Sequence, residues 1–573
     1  MKYISTIIWF VFLSFIFQAA AAENKASGVQ YIHGILQLEI IDAETDLAVP
    51  ARIEVLDSDG KSYFAKDALP IGGACGEIGK DGSWGPIVYD DKSLSGALAR
   101  FTKTIKDPFT EATHFYSTGE STLVLPPGLF KIKVFKGPEY KLSHAEVNIT
   151  AGDTVEKSIE LSRFANMPAL GWYSADDHVH IARVNKGVDP LVLKMMQAED
   201  IHVGNLLQMG RADTFLTTQQ YAHGDKSRYQ EGNHLIISGQ ENLRTHVLGH
   251  TITLGAAEPI YKPEKYLLYR LAWQQAVDQG ALNGYAHFGE VKRNLGPDPG
   301  LPVLAPHNLM HFMEVLQFNQ GNYGTWYDML NLGFRITPTA GTDYPCVAPR
   351  IPGQERFYTK VEGPFTYKNW LEGVRAGRTF VTTGPILEFS VNDQDIGSEI
   401  TLEKDGEVTI KGEVRYRDDD NFGSYGQALV KGLELVENGQ VVRRFPRIDD
   451  SGRISFEIRH KIKETSWLAL RTSGSINLYP SKGRYVTAHS APMYITLNNA
   501  PSIDKHPRTH AIAKNWLASL NSLEIRLSKE NIQYLRETKA AGDPVPPHIV
   551  MNNHLALMEE IENSKVFFDR FLQ

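Results

Sequence analysis

Histidines and carboxylates recur in this chain at spacings that suit a metal ion. The run Ser174 to Arg183, SADDHVHIAR, places His178 and His180 two residues apart, just after the apolar stretch GWYSA. A β-strand alternates its faces, so residues i and i+2 point the same way and two imidazoles can reach one ion. Because HxH is common, the pair alone also reads as a polar, solvent-facing strand end. Further candidates follow in chain order: Glu241 in ISGQEN, His250 in VLGHTITLG, His287 in GYAHFGE and Asp343 in TAGTDYP. Each stands at or just after an apolar, β-like run. Neutral imidazoles and carboxylates converging from several strand ends, with one position open to water, form a hydrolytic metal centre. Asp343 could serve as a ligand only, or it could orient the attacking water or take its proton. Tyr344 and the bases Arg211, Arg244 and Arg350 could stabilise an oxyanion or grip an anionic substrate. Ten of the nineteen histidines fall between residues 175 and 311. Of these, His246 is a reserve ligand, whereas His202 and His234 fall near strand starts and read as packing or surface residues. Asp176 and Asp177 read either as partners of the imidazoles or as a polar strand edge.

Four kinds of segment must position these groups. From about Gln30 to Leu161, alternating runs such as ILQLEIID, ARIEVLD and FKIKVFKG are separated by turn signals, the pattern of a small antiparallel sandwich. Lys66 to His114 breaks that alternation and reads as an inserted excursion. Between Trp172 and Gly384, β-runs alternate with helical ones (HVHIARV, then DPLVLKMMQAED, then IHVGNLLQM). That grammar predicts a parallel β/α sheet, most simply a barrel with its chemistry at the C-terminal strand ends. Alternation returns from Leu387 to Leu497 as a second β-sandwich, and the last 70 residues carry apolar positions at helical spacing. The expected division is 1–22 signal peptide, 30–162 first sandwich, 163–385 barrel, 386–498 second sandwich and 499–573 helical tail.

The order HxH, a GxE strand, GH, AH and AGTD resembles the PHP superfamily of metallohydrolases, and within it the carbaryl-hydrolase-like CehA/McbA family. The phrases GQEN…GH, FRITPTAGTDYP and GRTFVTTGPILEFSVN are similar to that family's text, and the likeness runs from roughly Gly34 to Phe568. It implies an α/β fold: a distorted (β/α)7 barrel flanked by the two sandwiches and the helical tail. It also implies that His178, His180, Glu241, His250, His287 and Asp343 are ligands to divalent ions, Zn first and Mn or Fe as alternatives. Many PHP members carry a TDH motif after the second strand, where this chain reads NLLQMG with Gln208. That departure implies one or two ions rather than three. The family further implies hydrolysis of a carboxyl or carbamate ester, with phosphoesters the wider superfamily's alternative.

Composition sets the surroundings. With 573 residues the chain exceeds one core, and with 42% hydrophobic residues, 22% charged residues and a net charge of −8 it shows no mark of disorder or of nucleic-acid affinity. Lys2, the apolar Ile4 to Phe17 and the alanines Ala19 to Ala22 describe a cleavable signal peptide, hence a periplasmic or secreted protein with no membrane span after cleavage. Cys75 and Cys346, the only two cysteines, could form one disulfide or none. No G-x-S-x-G elbow, P-loop or dinucleotide fingerprint stands in a supporting context, which removes serine-hydrolase, nucleotidase and dehydrogenase readings. The expected partner is a small-molecule or glycan-linked ester. The competing class is a non-catalytic glycan- or polymer-binding surface protein whose barrel is degenerate.

Overall fold

The computed structural model describes residues 32–573 except 74–75, 79–83, 87–90, 108–111, 211–217, 246–247, 288–299, 319, 322, 347–350, 418–429, 450, 475–485 and 529–544. The signal-peptide segment, Cys75, Arg211, His246 and Arg350 therefore lie outside the described residues. No described helix is long and apolar enough to cross a membrane.

The centre is a mixed sheet whose strands are numbered from the first to carry site residues: β1 (Trp172–Val179), β2 (Val203–Met209), β3 (His234–Thr245), β4 (Gly249–Leu254), β5 (Leu282–Tyr285), β6 (Phe312–Gln317), β7 (Thr337–Ala340), β8 (Arg356–Lys360) and β9 (Thr379–Thr382). Pairs β1/β2, β2/β3, β5/β6 and β6/β7 are parallel. Here the expected regular alternation breaks, because β3/β4 and β4/β5 are antiparallel, as are β1/β8 and β8/β9. The sheet curls until the segment leaving β7 meets β1 at an isolated parallel bridge, Val179 to Tyr344. Helices α1 (Asp189–Ala198), α2 (Tyr269–Asp278), α3 (Tyr323–Asn331) and α4 (Tyr367–Arg375) cover it. Strand β2, VGNLLQM, is buried at all seven positions, as befits a parallel strand covered on both faces. Helix α1 supplies part of that cover with Val192, Leu193, Met195 and Met196, an apolar stripe at helical spacing.

Before this sheet, strands Gly34–Asp42, Glu120–Leu125 and Thr154–Leu161 form one layer. Ala51–Asp57, Thr113–Ser117, Gly128–Phe135 and Ser143–Ile149 form a second. The burial pattern BiBeBeBiB of Gly34–Asp42 shows one face turned to the shared core of Leu36, Ile53, Val134 and Leu161. Part of the Lys66 to His114 excursion packs on the central sheet: Leu69, Ile71 and Ala97 share a cluster with Val179, Ile181 and Tyr344. After β9, strands Ile386–Val391, Gly406–Arg415 and Arg453–Ile462 pair in one sheet. It faces Val430–Glu437 and Ser466–Gly474 across a second apolar cluster that contains Leu387, Ile410, Leu433 and Leu470. Helices α5 (Arg508–Leu527) and α6 (Pro547–Asp569) bury Trp516, Leu520, Leu557 and Phe568 in the same cluster as Trp326 and Leu304 of the central unit. Arg270 and Glu560 pair across that contact at 3.2 Å.

Candidate metal centre

Strands β1, β5 and β7 end at one rim of the curled sheet, and the donors gather there. His178 occupies the last turn of β1 and His180 follows it, both with side chains 0% exposed. Each is held by its outer nitrogen. His180 Nδ1 donates to the Leu207 carbonyl at 3.2 Å, and His178 Nδ1 meets the Glu314 carboxylate at 3.0 and 3.1 Å. Fixing Nδ1–H outward leaves Nε2 on each ring for a ligand. Those two Nε2 atoms lie 3.0 Å apart. Glu241 from β3 brings Oε2 to 3.8 Å from His178 Nε2 and 3.3 Å from His180 Nε2. Asp343, just past β7, brings Oδ1 to 3.6 and 3.2 Å from the same atoms.

These distances test whether the residues fit an ion. A tetrahedron with arms of about 2.0 to 2.2 Å has edges of roughly 3.3 to 3.6 Å. Five of the six edges among these four donor atoms run from 3.0 to 3.8 Å. A second triangle shares Glu241: Oε1 lies 2.9 Å from His250 Nδ1 and 3.2 Å from His287 Nε2, which are 3.3 Å from each other. Four imidazoles and two carboxylates are donors of the type Zn, Mn and Fe accept. The donor set fits one ion at the first group and a second at the triangle, with Glu241 between them.

Backbone and charge both bear the marks of a built site. His287 and Asp343 hold φ angles of 31° and 57°, left-handed conformations that cost of order 1 to 3 kcal/mol and gather at functional sites. Burial alone would suppress charge on His178, but the Glu314, Asp343 and Glu241 carboxylates outweigh it and lift the imidazole well above its ordinary range. Burial likewise opposes ionisation of Asp343, yet His178 and His180 hold it below the usual carboxylate range. Glu241 is held well below that range, against burial, by Arg244 and His250 foremost. Side-chain exposure rises from 0% at His178 and 1% at Glu241 to 10% at Asp343, 14% at His287 and 19% at His250. The open side therefore lies over the last three residues.

All six expected ligands come together. Of the expected substrate-binding residues, Arg211 and Arg350 lie outside the described residues, and the two described ones are already engaged. Tyr344 is buried and turned away, its hydroxyl donating to the Ile71 carbonyl at 3.2 Å. Arg244 lies against the site but is engaged, with Nε 3.1 Å from Glu241 Oε2 and Nη1 3.0 Å from the Met209 sulfur. Gln208, in the stretch NLLQMG, is bonded to His223 at 3.3 Å. Two further buried carboxylates support the cluster. Asp176 accepts from the backbone N–H groups of His178, Thr342 and Gly353 and from the Thr342 hydroxyl, at 2.6 to 3.1 Å. It thereby ties the loop bearing Asp343 to β1, and burial lifts its pKa to about 6. Glu314, 0% exposed on β6, has no place in the sequence reading at all. Its one signal is a lone carboxylate inside the apolar run FMEVLQ.

A second cluster, Asp200, His202 and His234, sits at the opposite strand ends. Asp200 is engaged there by Arg163 at 3.1 Å through both oxygens, and His202 Nδ1 by Ser174 at 2.9 Å. The two rings stack with centroids 4.6 Å apart and 18° between planes, which aims their lone pairs side by side rather than at one point.

Fold and site together define an α/β protein with a candidate metal centre of histidine and carboxylate donors. No family model and no curated protein matches the chain. Among solved structures it is similar to a two-domain protein from Bacteroides vulgatus containing a predicted PHP-like metal-dependent phosphoesterase. That likeness has 10% identity and a TM-score of 0.30, and covers 57% of this chain and 95% of that one. It is also similar to GBS52, the minor pilin of Streptococcus agalactiae, with 16% identity, TM-score 0.15 and coverage of 24% and 48%. The shaft pilin SpaA of Lactobacillus rhamnosus GG gives 19% identity, TM-score 0.14 and coverage of 23% and 48%.

Proposed function

We propose that the chain is an exported, metal-dependent hydrolase of ester-type bonds. In its finer form the proposal is a PHP-type enzyme of the carbaryl-hydrolase-like CehA/McbA kind on a distorted seven-stranded barrel. The observation that supports it is the convergence of His178, His180, Glu241 and Asp343 at spacings that suit tetrahedral ligation. His250 and His287 would hold a second ion with Glu241 as the shared carboxylate. A bound ion of the Zn class supplies Lewis-acid charge and water acidified to near neutrality.

The chain's own residues do the rest. Asp343, ionised and at the open side of the cluster, is placed to orient a water and accept its proton as that water attacks. Burial of His178 and His180 excludes competing bulk water beside Asp343. The substrate's carbonyl or phosphoryl group approaches over His250 and His287, where exposure is greatest. Carboxyl or carbamate esters are the favoured class and phosphoesters the alternative.

Protein purified without chelator, analysed for metal and assayed on p-nitrophenyl acetate, carbamate and phosphate panels, tests the reading. The expected result is bound transition metal and turnover of at least one ester, lost in His178→Ala and in Asp343→Ala. Wild-type turnover in both variants would place the chemistry elsewhere. Absence of stoichiometric metal would favour a binding protein.

A further inference from the structure

Resting on that reading, we propose that Glu314 is a positioning residue that sets two of the site's histidines at once, so that metal affinity depends on a side chain lying behind the donor shell. Its carboxylate receives His178 Nδ1 at 3.0 and 3.1 Å and the backbone N–H of His287 at 2.7 Å. The first bond fixes the tautomer and rotation of His178, turning Nε2 toward His180, Glu241 and Asp343. The second pins the backbone of His287, whose φ of 31° lies where a non-glycine residue needs outside support. One carboxylate thus couples the end of β1 to the end of β5, and with them the two donor groups that share Glu241.

The surroundings are shaped for this contact. Glu314 is fully buried within β6, between apolar neighbours Met313 and Val315. A buried carboxylate costs several kcal/mol unless its partners recover it, and two of its partners, His178 and the His287 N–H, belong to the site. Gly341, beside it, leaves room where a side chain cannot go. A Cβ at that position would come within 2.4 Å of His178 Cβ and 2.6 Å of Glu314 Oε1. The glycine of A-G-T-D is therefore a steric requirement of the His178–Glu314 contact. Outer partners of ligating histidines typically change metal affinity 10- to 100-fold when removed. Because Glu314 serves two ligands, its loss belongs at the upper end of that range.

The test uses the full chain, stripped with a chelator and titrated with Zn(II), then loaded with Co(II) at saturation for its visible spectrum. Glu314→Gln keeps shape and volume. It is expected to weaken Zn(II) binding about 30- to 100-fold and to shift the Co(II) bands, since ligand geometry changes even when every site is filled. Glu314→Ala should be at least as weak, with the ligands still present. In His178→Ala background the Glu314→Gln penalty should shrink without vanishing, because the His287 link remains. Unaltered affinity and spectrum in Glu314→Gln, beside a wild type that binds Zn(II) and a His180→Ala that does not, would overturn this proposal alone. A wild type that binds neither Zn(II), Mn(II) nor Fe(II) would overturn the hydrolase reading and this inference with it. Full additivity of His178→Ala and Glu314→Gln would refute the coupling through His178.

Discussion

Removing the divalent ion with a chelator and restoring it should move the unfolding temperature, and the gain should grow with pH. An ion that binds only the folded chain stabilises it by about 2.7 kcal/mol at a free concentration of 100 Kd. For a cooperative unit of 150 to 250 residues, each kcal/mol is worth roughly 2 to 4 °C, so the gain should be about 5 to 11 °C. Its pH dependence follows from the cluster. His178 and His180 titrate above the ordinary 6.5 in the folded, metal-free chain, where burial is outweighed by their carboxylate neighbours. A raised folded pKa contributes stability that is fully present below 6.5 and lost as pH rises through the folded value. Above pH 6.5 the stripped protein therefore weakens, while the protons that the ion has to displace from the two imidazoles become easier to remove. Each displaced proton adds about 1.4 kcal/mol of apparent affinity per pH unit at fixed metal, or roughly 3 to 5 °C. Asp343 and Glu241, both held low, lose their contribution only as pH falls through their depressed values, well below this window. Differential scanning fluorimetry at pH 6, 7 and 8, with Zn(II), Mn(II) or Fe(II) added back to chelated protein, is the assay. A gain that is flat with pH, or that survives in the His178→Ala/Asp343→Ala double variant, would refute the reasoning.

Three further outcomes can be checked independently. Gly341→Ala forces a methyl against His178 Cβ at 2.4 Å and two carboxylate oxygens at 2.6 Å; it should cost about 1 to 3 kcal/mol and at least tenfold in Zn(II) affinity, read by thermal unfolding and titration. His489 is buried between Tyr327 Oη at 2.5 Å and the Ser490 carbonyl at 2.8 Å, and burial, then Arg471, pushes its pKa down to about 3. A depressed folded pKa means stability held above 6.5 and lost as pH falls toward 3, roughly 3 kcal/mol by pH 4; acid unfolding of His489→Gln should show a correspondingly shallower slope. Cys346 is disulfide-bonded and Cys75 is the chain's other cysteine, so a denatured sample should titrate no free thiol before reduction and two after it.

The donors were legible where the sequence itself carried the geometry. An i, i+2 pair on a strand must share a face, and His178 and His180 do. Tyr344 departs for a different reason: Asp343 turns toward the imidazoles from a left-handed backbone, φ 57°, outside any strand, and the next side chain enters the cluster of Ile71 and Val179. Adjacency in sequence to Asp343 is therefore not adjacency in space. Arg244 failed differently, since its distance to Glu241 is short but the carboxylate already occupies it. Glu314 was invisible because a lone acidic residue in an apolar run reads as the solvent face of a half-buried strand. Only the register that sets Glu314 opposite Thr339, on a strand covered on both sides, turns it inward.

The departure from β/α regularity is what completes the donor set. In an all-parallel barrel, every strand's C-terminal end forms one rim and every N-terminal end the other. His250 stands at the start of its strand, beside Gly249, and in a parallel β4 it would face the end where Asp200, His202 and His234 sit. Because β3 returns directly as an antiparallel β4, the start of β4 lies beside the end of β3, with Arg244 opposite His250 in the register. The fourth imidazole is thus delivered to Glu241 by a hairpin. That turn also accounts for the graded exposure of the cluster. Donors from the parallel strand β1 are sealed beneath helix-covered sheet, whereas the hairpin donor comes from the rim and stays 19% exposed. The same break in topology therefore adds a donor and leaves one side of the cluster open.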